Sequence, residues 1–138
     1  MSVQTQTTSF KSECWQAVHD LLTDTLKIAL YTGAATLDQT TTVYSTAGEV
    51  VGTGYTAGGI VLTGATIGTD GFTVFASFDN PAWSTGVFTA RYALLYNASK
   101  SGKSIAVLDF GADKTAGPNF TITLPANTAI SALLRSSN

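Results

Sequence analysis

The chain has 138 residues, 44% hydrophobic and only 12% charged, with a net charge of −2. That length suits one domain able to bury a core without staples, and the apolar content excludes a disordered chain. The seven cations are scattered rather than clustered, which argues against a nucleic-acid partner; the single Cys14 excludes an internal disulfide.

In chain order, residues 1–9 read as an extended polar arm with no core residue except Val3, able to lie as a strand on a partner. They lack the basic and apolar regions of a signal peptide. No later apolar run approaches the roughly 20 residues needed to cross a bilayer. The expectation is a protein kept in a cytoplasm or assembled there into something larger, with no membrane partner. Phe10, Cys14, Val18 and Leu21 recur at helical spacing, widened by Trp15 and Leu22, and predict one helix over 10–22 with Ser9 as its N-cap. Leu26, Ile28 and Leu30 alternate with Lys27, Ala29 and Tyr31 and predict a half-buried strand. The stretch from Gly33 to Gly59 has no sustained period and reads as a long excursion, with a helical turn or bulged edge near 47–51.

From Ile60 onward the pattern is β-rich. Strands are predicted at 60–66, 72–78, 86–97, 103–110, 119–124 and 128–135, separated by turn chemistry at Gly68 to Gly71, Asn80-Pro81, Ser99 to Gly102, Ala116 to Asn119 and Pro125 to Asn127. Phe72, Phe75, Phe78, Phe110 and Phe120 are core candidates. The fold class is therefore mainly β: an antiparallel β-sandwich or jelly roll with one N-terminal helix and an extended arm, residues 1–9, before a single domain, 10–138.

Chemical motifs do not hold. Gly52-Thr-Gly54-Tyr-Thr-Ala57 matches a dinucleotide fingerprint in letters, but Gly58-Gly59 and a strand-like run follow where a helix must open. Gly102-Lys103-Ser104 resembles the end of a phosphate-binding loop, but Asn97 stands where that motif needs glycine. His19 is the only histidine, so with Cys14 it cannot build a metal site of imidazoles and thiolates; it is expected at the last turn of the helix. No G-x-S-x-G elbow exposes a serine. The two glycosylation sequons, at Asn97 and Asn119, carry no meaning without a secretory signal. The reading is a non-enzyme with no cofactor and no small-molecule substrate.

Composition suggests protein contact instead. The 23 threonines and many serines take the place of long charged side chains, and short side chains lose less entropy when a partner orders them. Trp83, after Asn80-Pro81 in a turn, reads either as an interface anchor or as a cap on the sandwich core.

The helix ending at His19-Asp20, the strand Thr25 to Tyr31, and the run Gly48-Glu49-Val50-Val51-Gly52-Thr53-Gly54-Tyr55-Thr56-Ala57-Gly58-Gly59 carry a family likeness. From Phe10 onward the chain resembles tailed-phage capsid cement, or decoration, proteins of the Bordetella podophage kind. The most specific piece is Glu-Val-x-Gly-x-Gly-Tyr-x-x-Gly-Gly. The resemblance implies a jelly-roll virion protein on the capsid's outer surface, clamping neighbouring major capsid protein subunits, as a homodimer. On that reading Val3, Gln4, Thr5, Gln6, Thr7 and Thr8 pair with the shell by strand addition, and the 48–59 loop presents Tyr55 as anchor with Glu49 as its polar contact. Two alternatives are a tail or neck component, and a carbohydrate-binding module using Trp83 beside Asp79 and Asn80.

Overall fold

The structure, a computed structural model, describes residues 3–128 and 130–136, with the backbone alone at Val3. In chain order it contains β1 (Val3–Gln6), α1 (Thr8–Trp15), β2 (Leu26–Tyr31), β3 (Ile60–Val61), β4 (Thr66–Asp70) and β5 (Thr73–Ser77). Then follow β6 (Ala82–Trp83), β7 (Thr89–Asn97), a 3-10 turn (Ala98–Lys100), β8 (Lys103–Thr115), β9 (Phe120–Thr121) and β10 (Leu134–Ser136). A five-stranded sheet runs β1-β8-β7-β2-β3, a three-stranded sheet runs β10-β5-β4, and β6 pairs with β9; every pairing is antiparallel. The chain is mainly β, in sandwich form, with its helix near the N-terminus, as the sequence pattern predicts.

The main core lies between the sheets. Ile28 and Leu30 of β2, Ala93 and Leu95 of β7, and Ile105 and Leu108 of β8 meet Ala76, Phe78, Leu133 and Leu134 from the other side. Burying such side chains contributes about 2 kcal/mol each. An aromatic cluster closes one end, with Phe120 at 5.4 Å from Phe88, 5.9 Å from Trp83 and 6.0 Å from Phe110 between ring centres.

Strand β2 is not half-buried as its alternation predicts. Ala29 and Tyr31, on its other face, are also buried, with Leu94, Tyr96 and Val107. The reason is the 33–59 excursion, which folds back over the outer face of the large sheet as a third layer. Ala35, Leu37 and Tyr44 pack onto that second cluster, and Tyr44 stacks on Tyr96 at 4.6 Å. Near 47–51 there is neither helix nor strand, only a turn and one isolated bridge from Tyr31 to Glu49.

The helix is shorter than its apolar spacing predicts. Thr7, not Ser9, is the N-cap: its Oγ1 accepts from Phe10 N at 3.3 Å. The helix ends at Trp15 because Ala17 turns left-handed (φ 58°), while Val18 N donates to Glu13 O and Ala17 N to Cys14 O. This closure usually uses glycine, so an alanine in that place left no sign in the sequence. Only Phe10 is buried on the helix, and Cys14, placed by its spacing on the apolar stripe, is exposed.

Two further expectations change. The predicted turn Gly68 to Gly71 is mostly strand: β4 and β5 are joined by the two-residue loop Gly71-Phe72, with Gly71 at φ 59° as a II′ turn requires. This leaves Phe72 90% exposed at the hairpin tip rather than in the core. Of the predicted strand 128–135, the structure pairs only its end, as β10, and Ala129 lies outside the described residues.

Candidate partner-binding surface

The arm is extended, as expected, but it is not free. β1 pairs with β8, aligning Gln4 with Leu108 and Gln6 with Ala106. Thr7 is buried, and its N donates to Ile105 O at 2.9 Å. Residues 3–9 therefore belong to the domain, and the boundary drawn after residue 9 does not exist physically; Met1 and Ser2 lie outside the described residues. β1 is nevertheless an edge strand. Since Thr7 faces Ile105 in a hydrogen-bonded position, alternation turns the N–H and C=O of Gln4 and Gln6 away from β8. Among the described residues neither finds a backbone partner. The edge carries no charge, proline or bulge, the usual protections of an exposed strand. Gln6 Nε2 also donates to Arg135 O at 2.6 Å, tying this edge to β10 of the second sheet. The side chain of Val3 lies outside the described residues, and Thr8 opens the helix, so the strand ends at Gln6.

Glu49, Tyr55 and Trp83 turn inward. Glu49 is 8% exposed. Its Oε1 accepts from Tyr44 OH at 2.7 Å, and its Oε2 accepts from Tyr55 OH at 2.5 Å and Gly58 N at 2.7 Å. Tyr55 OH in turn accepts from Leu30 N at 3.0 Å, and Tyr96 OH donates to Gly58 O at 2.6 Å. The expected anchor and polar contact of the 48–59 loop are thus one internal clasp holding that loop to β2 and β7. The reason is that the carboxylate meets three donors there, more than one partner contact on the surface would supply. Burial, and next the hydrogen bond to Glu49, push the Tyr55 and Tyr44 phenols well above the ordinary tyrosine range. Burial first and the Glu49 charge second raise Tyr31 and Tyr96.

Trp83 is 4% exposed and stacks with Tyr55 at 6.3 Å, so it caps the core rather than anchoring a partner. The same burial removes the sugar-binding face weighed at Asp79, Asn80 and Trp83. Asn80 Oδ1 is spent accepting from Leu124 N at 2.9 Å, and Asp79 Oδ2 from Thr63 Oγ1 at 3.3 Å.

His19 lies beyond the helix rather than in its last turn. Its ring sits 5.1 Å from Phe10, with Nε2 at 2.9 Å from Glu13 and Nδ1 at 3.0 Å from the Asn97 amide nitrogen. That amide nitrogen also donates to Asp24 at 2.7 Å, and its oxygen accepts from Ser99 N, which fixes its orientation. Nδ1 must therefore accept, and Nε2 carries the proton donated to Glu13. The Asn97 amide, then the backbone N–H of Asp20 and the Lys100 ammonium, hold the Asp24 carboxyl below its usual range. Asn97→Ala strips partners from three groups at once. It is expected to cost about 2 kcal/mol in urea unfolding, against under 1 kcal/mol for an exposed control such as Thr69→Ala.

Among the described residues, no group of three or more His, Cys, Asp or Glu could hold a metal ion. No described helix is long and apolar enough to cross a membrane. Large apolar side chains face solvent, among them Trp15 and Phe72, which spacing places on buried faces; Val51, Val87 and Ile130 are strongly exposed as well. Trp15 had been placed on a buried helix stripe; the early stop of α1 leaves it outside. Compared with known proteins, the chain matches no family model, no curated protein and no solved structure.

Proposed function

We propose that this chain is a structural virion protein that docks on the outside of a tailed-phage capsid and stabilises contacts between major capsid subunits, acting as a homodimer without cofactor or substrate. The single observation that supports it most is the unprotected edge at Gln4 and Gln6, whose outward backbone groups suit an added strand from a neighbouring chain. The charge-poor, threonine-rich exterior and the family likeness of residues 48–59 favour the same reading. Many weak copies of such a contact, repeated over a shell, add up to a large resistance to internal pressure.

Deleting residues 2–8 is too blunt a test, because it also removes the Thr7 cap and uncovers β8. Gln4→Pro is sharper: it removes an outward N–H that bonds nothing in β8, and the φ that its ring fixes is tolerated in an edge strand. Occupancy on shells of the major capsid protein, read by gel densitometry of purified particles, is expected to fall about tenfold, one strand-addition contact being worth about 1.4 kcal/mol. The thermal midpoint of the free protein should stay within a few degrees. Undiminished occupancy removes the edge from the contact, and virions lacking this polypeptide overturn the reading itself.

A further inference from the structure

We propose that the groove between α1 and the β10-β5-β4 sheet is a docking site for a short acidic, apolar segment of another protein. It encloses about 470 Å³, within the range of sites that take several side chains. Phe10 and Leu134 are buried beneath it, while Trp15 (94% exposed), Ile67 and Val74 stand at its rim with their apolar surfaces in water. A wholly exposed indole beside two half-exposed aliphatic side chains is the composition of an interface anchor rather than of ordinary surface.

The charges identify the occupant. The groove is lined by two cations, Lys11 and Arg135, and by no carboxylate. Elsewhere three of the five cations are matched, Arg91 lying 3.8 Å from Asp109, Lys100 3.2 Å from Asp24 and Lys103 3.6 Å from Glu13, while Lys27 and Lys114, neither of which lines this groove, have no such partner among the described residues. Among the described residues, Lys11 and Arg135 have no such partner; the Arg135 guanidinium donates instead to the Ile130 carbonyl. On a chain of net charge −2, an apolar floor edged only by unmatched cations complements large apolar side chains flanked by carboxylates. The inference stands apart from the capsid reading, since it concerns the chemistry of one groove whatever protein supplies the segment.

The probe is a synthetic octapeptide with two leucines flanked by aspartates, and the readout is shielding of Trp15 from acrylamide quenching. Trp83, being buried, adds only a constant background. The peptide is expected to shield Trp15 saturably, and a lysine-for-aspartate version to bind at least about tenfold more weakly. The double variant Lys11→Glu, Arg135→Glu, altered only at exposed positions, should reverse that preference. Trp15→Phe should abolish the signal. Equal binding of both peptides, or no shielding by either, overturns the proposal. Shielding by anionic phosphatidylglycerol vesicles without shielding by the peptide assigns the groove to a membrane instead.

Discussion

Replacing Glu49 by alanine is expected to destabilise the protein by about 4 kcal/mol, because three donors lose their acceptor together. Tyr44 OH and Tyr55 OH can turn toward water or another acceptor, but the N–H of Gly58 is buried and fixed. Glu49→Gln retains an oxygen for Tyr55 and Gly58 and can present its amide nitrogen to a rotated Tyr44 hydroxyl, so it should cost only about 1 kcal/mol. Urea unfolding of the two variants separates them. Equal losses would mean that the negative charge itself, not the set of hydrogen bonds, holds the clasp. Among the described residues no lysine or arginine nitrogen comes within 4.0 Å of this carboxylate, which favours the hydrogen bonds.

The clasp also sets an alkaline limit. Tyr31, Tyr44, Tyr55 and Tyr96 all titrate above their ordinary value in the folded chain. An unfolded tyrosine loses its proton near pH 10, so from there upward the unfolded chain is favoured. The stability supplied by these phenols is complete below about pH 10 and falls as pH rises toward the folded values. Tyrosinate absorbance should therefore appear in step with loss of the β circular-dichroism signal. A smooth titration of all five tyrosines near pH 10 in a chain that stays folded would contradict the buried clasp.

The second large effect is expected at Gly59. Its φ is 77°, and a Cβ there would lie 1.7 Å from the Ile28 carbonyl oxygen and 2.6 Å from the carbonyl carbon. The obstacle is the backbone of β2, which cannot move without breaking its pairing to β7. Gly59→Ala should cost about 4 kcal/mol or prevent folding. Gly71→Ala is the matched control: its φ is also positive, at 59°, but nothing lies within 4 Å of the added atom. It should cost about 2 kcal/mol, the backbone strain of a non-glycine residue at the first central position of a II′ turn. Similar thermal midpoints for the two variants would show that the loop can lift from β2.

These residues also show how far the sequence could be read. The strand-like runs read at 26–31, 86–97 and 103–110 identified the central strands of the large sheet, because apolar and β-branched or aromatic residues bounded by turn chemistry favour a strand regardless of distant context. The Glu49 to Gly59 run was visible as unusual, but its role was inverted. A glutamate and a tyrosine in a glycine-rich loop look like surface contacts until the loop is seen to fold onto β2. The helix overran by seven residues because a left-handed alanine leaves no trace in composition. Trp15, expected on the buried stripe, is outside, and of the two roles open to Trp83 the structure shows the core cap.

The sequence by itself determined that this is a mainly β chain of antiparallel strands in sandwich form, with one helix near its N-terminus. Those properties follow from local periodicity and from counting residue types. Only the tertiary structure decided that the arm is an edge strand of its own domain, that the 33–59 excursion is a third layer, and that an apolar, cation-edged groove lies beside α1. Each depends on contacts between segments far apart in the chain, and the free energy of such contacts is set by which groups meet, not by the order in which they occur.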